Sequence, residues 1–120
     1  MPHETHVDID LGLVKVIYHG LITVKEREAA REQAARLVNE HKLNCILVDM
    51  RRCEMCLSTL DIFHFGNTFD ELHFPPQLKI CGVIQPDDED DKLLETVALS
   101  RGTNIHYFTE FEQALKWLGL

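Results

Sequence analysis

Two short runs constrain this chain more than anything else in it: Cys45-Ile46-Leu47-Val48 and Leu78-Lys79-Ile80-Cys81-Gly82-Val83-Ile84 are apolar almost without a break. A strand with one face in water alternates apolar and polar residues. A run that is apolar on both sides needs cover on both sides, as in the middle of a parallel sheet. Parallel neighbours in turn require long crossovers, usually helical. The stretches around the two runs have that form. Thr23-Val24-Lys25-Glu26 is a capping-box start. The helix after it puts Ala30, Ala34, Leu37, Val38 and His41 on one stripe, with Lys25, Glu28, Glu32, Arg36 and Glu40 mostly off it, and should end near 42–44. Ser58-Thr59-Leu60-Asp61 starts a second helix, expected to reach about His73 and to stop before Pro75-Pro76. Pro86 opens a third, with Asp87 to Asp91 as its first turn, Leu93, Leu94, Val97 and Ala98 inward, and Gly102 as its left-handed end residue. A strand from Asn104 to Phe108 precedes a helix capped at Thr109, with Phe111, Ala114, Leu115 and Leu118 as its stripe.

At the N-terminus, Val7 to Asp10 and Leu13 to Tyr18 read as two short strands joined by a turn at Leu11-Gly12, and Gly20 closes the segment. The order β-β-α-β-α-β-α-β-α predicts one α/β domain over residues 1–120, mostly parallel, with 1–6 as a flexible tail. Asp49 to Cys56 reads as a polar loop. The loops after Val48, Ile84 and Phe108 then gather on one sheet edge, where a site is expected.

Composition narrows the function. At 120 residues the chain fits one domain, and 45% apolar with 27% charged residues is a globular balance. A net charge of −8 argues against nucleic acid, whose phosphates it would repel. The longest apolar runs fall far below the roughly 20 residues needed to span a bilayer, and the polar, acidic start is unlike a signal peptide. Cys45 and Cys81 sit inside apolar runs as small hydrophobes, which points to a reducing cytoplasm.

The element order, with ILVDMRRCEMCLSTLDI (46–62) across a central strand, a loop and a helix start, resembles the STAS fold of anti-sigma factor antagonists of the SpoIIAA type. With FPPQLKICGVI (74–84) leading into the next strand, the chain is more closely similar to the divergent bacterial SpoIIAA-like branch. The resemblance implies a non-catalytic regulatory module acting on a protein partner. It implies an aspartate at the strand end, here Asp49, and a phosphorylatable serine at the next helix start, here Ser58 followed by Thr59. The antagonist pattern has an aspartate before that serine and small residues after it; this chain has Leu57, Thr59 and Leu60 instead. The branch is also similar in fold to CRAL-TRIO lipid-transfer domains, which implies a carrier of a small lipophilic ligand as the second reading.

Read from the residues, Ser58 is either an N-cap that accepts a backbone N–H or a phosphorylation switch. Cys53-Glu54-Met55-Cys56 is either an incidental pair of loop thiols, a redox pair at a helix start, or part of a metal site. The acidic run 87–91 lacks the spacing and glycine of an EF-hand and reads as a solvated helix start. His3 and His6 fall in the expected tail, and neither a metal nor a cofactor is expected. In the second helix Ile62, Phe65, Phe69 and Leu72 form an inward stripe that Gly66 weakens. Met55, Leu57, Leu60, Phe63 and Phe74 fall off that stripe and are either plain core or a contact surface for a partner, a lipophilic ligand, a membrane surface or a second copy of the chain. No nucleophile with an adjacent base, phosphate loop or metalloprotease motif is present, so no catalytic role is assigned. Three readings remain: a regulatory binding module, a lipophilic carrier gated by the second helix, and a thiol-redox module through Cys53 and Cys56.

Overall fold

The two apolar runs become the middle of a five-stranded sheet. The computed structural model describes residues 3–120. In chain order the elements are β1 (His3–Asp8), β2 (Leu13–Thr23), α1 (Val24–Glu40), β3 (Cys45–Cys56), α2 (Thr59–Asn67), a 3-10 turn (Phe69–Glu71), β4 (Lys79–Val83), α3 (Glu89–Ser100), β5 (Ile105–Phe108) and α4 (Phe111–Leu118). The sheet order is β1-β2-β3-β4-β5, with β1 antiparallel to β2 and all other neighbours parallel. The α/β class and the element order predicted from the sequence are those observed.

Both faces of β3 and β4 are covered, which explains their composition. On one face Val14, Val16, Ile46, Met50 and Ile80 pack with Ala30, Ala34 and Val38 of α1, Ile62 and Phe65 of α2, and Leu94 and Ala98 of α3. On the other, Leu13, Leu47, Cys81 and Val83 meet Ala114 and Leu118 of α4 alone. Gly66 is a contact rather than a weak point. A Cβ there would lie 2.8 Å from Val97 Cγ1, so the glycine lets α2 press against α3.

Several expected boundaries move. The tail expected at 1–6 is strand from His3 onward. The His3 ring is buried and pairs Glu26 Oε2 at 3.0 Å and Gln33 Oε1 at 3.3 Å on α1, which ties β1 to α1; residues 1 and 2 of the expected tail lie outside the described residues. The polar loop expected at Asp49 to Cys56 is also strand, because the far half of β2 pairs with it from His19 to Thr23. α2 stops at Asn67 rather than His73. Both the Arg31 guanidinium (2.8 Å) and the Thr68 hydroxyl (3.3 Å) donate to the Phe65 carbonyl, and the chain tightens into the 3-10 turn. Thr109 does not cap α4; the N-cap is Glu110, without a side-chain hydrogen bond.

One group inside the helical layer is charged. Arg27 is 3% exposed and Asp91 1%, and their Nη2 and Oδ1 atoms lie 2.5 Å apart. The same Nη2 donates to the Tyr107 hydroxyl at 3.0 Å, and the guanidinium lies 5.0 Å from the Phe65 ring centre. Removing one member of such a pair strands a desolvated charge, whereas replacing both with apolar residues can be neutral. Arg27→Met or Asp91→Leu alone is expected to cost about 3–5 kcal/mol in urea denaturation. The double variant should recover more than half of that loss. A double variant no more stable than the singles would mean that charge pairing is not what the layer depends on.

Candidate functional site

β3 is twelve residues long and β4 only five, and that mismatch builds a rim. The last β3–β4 pair is Asp49 with Val83; beyond it β3 continues with β2 alone. Between the pairs Ile17–Asp49 and His19–Arg52, β2 advances two residues and β3 three, so β3 carries a bulge. The extra residue reverses the strand's alternation. Met50, Cys53 and Met55 consequently all pack toward the α1–α3 layer. The overhanging ribbon ends at Cys56, and Leu57 and Ser58 carry the chain onto α2.

Ser58 closes a complete capping box: its Oγ accepts from the Asp61 N–H at 3.1 Å, and Asp61 Oδ2 accepts from the Ser58 N–H at 3.0 Å. Two orphan donors are satisfied at once. Outward from this cap, Leu60 is 81% and Phe63 42% exposed, on one face of α2 because they are three residues apart. Met55 and Leu57 are half-buried against the core. Thr59 is exposed at the first position of α2. Phe74 is half-buried and stacks on Phe69, with centroids 6.4 Å apart at 28°.

Asp49 is elsewhere. Seven residues of extended strand, roughly 20 Å, separate it from Cys56. It faces α4, where Arg51 grips it with Nε to Oδ1 at 3.0 Å and Nη2 to Oδ2 at 2.9 Å. That grip, against the opposing effect of burial, holds its carboxyl below the usual range. Asp49 and Ser58 do not share a site in this chain.

The Cys53–Cys56 pair is likewise set apart by the strand. Residues i and i+3 of a strand point to opposite faces with their Cα atoms about 10 Å apart, and a disulfide tolerates at most about 7 Å. Cys53 is half-buried and Cys56 exposed. Burial, and then the charge of Asp91, push the Cys53 thiol up to about 12, far from a reactive thiolate.

Beside the rim lies a cleft of about 290 Å³ lined by Cys53, Glu54, Met55, Gln85 and the acidic run Asp87 to Asp90. Asp88 is the N-cap of α3, accepting from the Asp91 N–H at 3.0 Å. Burial first, and then the buried Asp91 carboxylate, push Asp88 up to about 7. A second, smaller cavity of about 40 Å³ lies between the sheet and α1, walled by Tyr18, Arg27, Phe65, Phe69 and Phe74 among others. That is room for water rather than for an acyl chain. Among the described residues no group of three or more His, Cys, Asp or Glu side chains is placed to hold a metal, and no helix is long and apolar enough to cross a membrane.

The sequence reading missed Arg27, Asp91, Tyr107 and Asp88. A signal existed for two of them: Arg27 lies on the Ala30–Ala34–Val38 stripe of α1, and Asp91 on the Leu94–Ala98 stripe of α3. In a polar run such a charge at a core position does not stand out.

This geometry defines a class: a parallel α/β sheet with three helices on one face, one on the other, and an antiparallel first strand is the STAS, or SpoIIAA-like, fold. Two solved structures share it across nearly the whole chain. One is an anti-sigma factor antagonist from Mycobacterium paratuberculosis, 16% identical, with a TM-score of 0.61 over 98% of this chain and 95% of that one. The other is an uncharacterized protein with a SpoIIAA-like fold from Shewanella loihica, 17% identical, with a TM-score of 0.55 over 97% and 91%. No protein-family model and no curated protein matches the chain.

Two measurements check the site. Mild oxidation followed by alkylation and intact-mass analysis should leave both Cys53 and Cys56 alkylated; loss of two labels without dimer formation would contradict the strand geometry. Asp88→Asn tests the raised carboxyl. A carboxyl whose folded value exceeds its unfolded one contributes stability in full below about pH 3.8, and that contribution is lost as pH rises through about 7. The variant, which keeps a capping oxygen, should match the parent near pH 4. It should exceed the parent by about 1–2 kcal/mol at pH 8, a figure discounted for the solvent that reaches a half-buried group. A constant difference across this range would contradict the shift.

Proposed function

We propose that this chain is a non-catalytic regulatory module that binds a protein partner through the end of β3 and the outer face of α2. The observation that carries this reading is the pair Leu60 and Phe63, apolar side chains left in water beside a helix whose other side is fully packed. Its likeness in fold to a solved anti-sigma factor antagonist supports a regulatory role of this kind. Scattered exposed apolar residues need no explanation. Two on one face of a short helix, next to a rim that overhangs the sheet, form a patch.

Ser58 enters this reading as the residue that positions α2. A phosphate on it would add roughly −1.5 to −2 charge beside Asp61 and break the capping box, so modification would act against docking rather than for it. The lipophilic-carrier reading has two features to support it, the small interior cavity and a wider cleft of about 350 Å³ walled by Phe69, Leu72, Phe74, Leu78 and Arg101 among others, and neither selects a ligand. A membrane contact would bring Glu54, Asp61 and the acidic run against anionic headgroups.

The test is site-specific photocrosslinking in cells of the source organism. A benzoylphenylalanine in place of Phe63 is expected to give one discrete protein adduct, and the same residue in place of Ile9, 68% exposed on the β1–β2 turn, none. Adding Ser58→Asp should weaken the adduct, whereas Ser58→Ala should cost about 1 kcal/mol of stability without abolishing it. An absent adduct, or one formed equally at both positions, would overturn the reading; an unaffected adduct in Ser58→Asp would reduce Ser58 to a cap.

A further inference from the structure

The acidic cleft and the apolar face of α2 meet along one short stretch of chain. Met55 lines the cleft, Leu57 follows it, and Leu60 and Phe63 begin within the next turn of helix. Glu54, Asp87, Asp88, Glu89 and Asp90 all contribute to its lining. Two of the nearby cations are already engaged. Lys92 donates to the Pro86 carbonyl at 2.7 Å and reaches Glu89 at 3.4 Å, while Arg51 is held by Asp49. No lysine or arginine is among the residues that line this cleft of about 290 Å³.

Resting on the docking reading above, we infer that the partner presents a basic amphipathic segment, whose apolar side covers Leu60 and Phe63 while a lysine or arginine enters the cleft between Glu54 and Asp87–Asp90. Charge complementarity selects this occupant. A second copy of a chain carrying −8 would bring like charge to the rim, and an anionic bilayer would do the same. The half-buried Asp88 is the group that gains most: its carboxylate is disfavoured by burial and by Asp91, and an entering guanidinium or ammonium would offset both. The cleft is large enough for the head of such a side chain, and the half-buried Cys53 and Met55 offer its stem apolar contact.

The experiment is selection of a displayed random peptide library on the full-length chain, with three variants as counter-targets. Winning peptides are expected to carry lysine or arginine three or four residues from apolar anchors. They should lose about tenfold in affinity on Asp87→Lys/Asp90→Lys, and a comparable amount on Phe63→Ser. Glu28→Lys/Glu32→Lys changes the net charge equally on α1 and should leave affinity unchanged, which separates docking from general attraction to an acidic protein. Neutral or acidic winners, equal binding to the Asp87→Lys/Asp90→Lys variant, or no enrichment would overturn the inference. Binding lost on Phe63→Ser but kept on Asp87→Lys/Asp90→Lys would leave the docking reading standing and remove this one. Self-association of the parent that Phe63→Ser abolishes would make the occupant a second copy and would likewise overturn it.

Discussion

The helical side of this sheet is organised around one buried ion pair. Arg27 comes from the first turn of α1 and Asp91 from the first turn of α3, and Tyr107 of β5 completes the contact. Desolvating a guanidinium is so unfavourable that the pair can exist only where its partner is met. Burial alone would lower the Arg27 pKa, yet Asp91 beside it leaves it above its ordinary value. The pair's net contribution to stability is small compared with an apolar replacement. What it supplies is discrimination: sliding α1 or α3 by one residue would leave two lone charges in a dry layer. The same carboxylate reaches outward, since its charge raises both Asp88 and Cys53 at the rim. Burial is the larger cause at both groups, and the core carboxylate adds to it.

The rim owes its form to a single extra residue. Without the bulge after Asp49, strict alternation would turn Cys53 and Met55 toward the α4 side, where the overhanging ribbon has no helix to cover them. With it, both pack inward, and Leu57 delivers the chain to Ser58 at the correct side of the sheet. This is also why the Cys-x-x-Cys spacing misleads. At a helix start it would bring two sulfurs together; along a strand it sets them on opposite faces.

The parallel core was legible in the sequence because burial on both faces leaves an unambiguous mark, and Cys45–Val48 and Leu78–Ile84 carry it. The capping residues Thr23 and Ser58 were legible for a similar reason: an oxygen three residues before a carboxylate has a specific local use. The overhang was not. Met50-Arg51-Arg52-Cys53-Glu54-Met55 alternates imperfectly because of the bulge, and strand pairing with β2 is a non-local fact that no window of sequence contains. Leu60 and Phe63 fall off the inward stripe and are exposed, whereas Phe74, which falls off it too, closes the layer by stacking on Phe69, a contact that spacing alone does not contain. The ion pair was hidden because a charged residue at a stripe position looks like an error in the stripe until its partner, 64 residues away, is in view.

A shared fold leaves the switch open, and the details of this chain set its terms. Asp49 is gripped by Arg51 and lies on the α4 side, roughly 20 Å of strand from the start of α2. Ser58 has its oxygen committed to Asp61, and Asp61 returns the bond. Any group that displaced this box would release two backbone donors at the head of a helix only nine residues long, too short to persist on propensity alone. α2 stays formed because Ile62 and Phe65 are buried and Gly66 abuts Val97. Its first turn, which carries Leu60, has the cap and little else. On the regulatory reading proposed above, control of this surface would act most economically at the cap, by loosening the turn that presents Leu60. The acidic run across the cleft is fixed to the ion-paired start of α3 and keeps its place. One half of the rim is charged and the other apolar, and on the docking reading proposed above a partner that needs both halves would depend on the turn that the capping box holds.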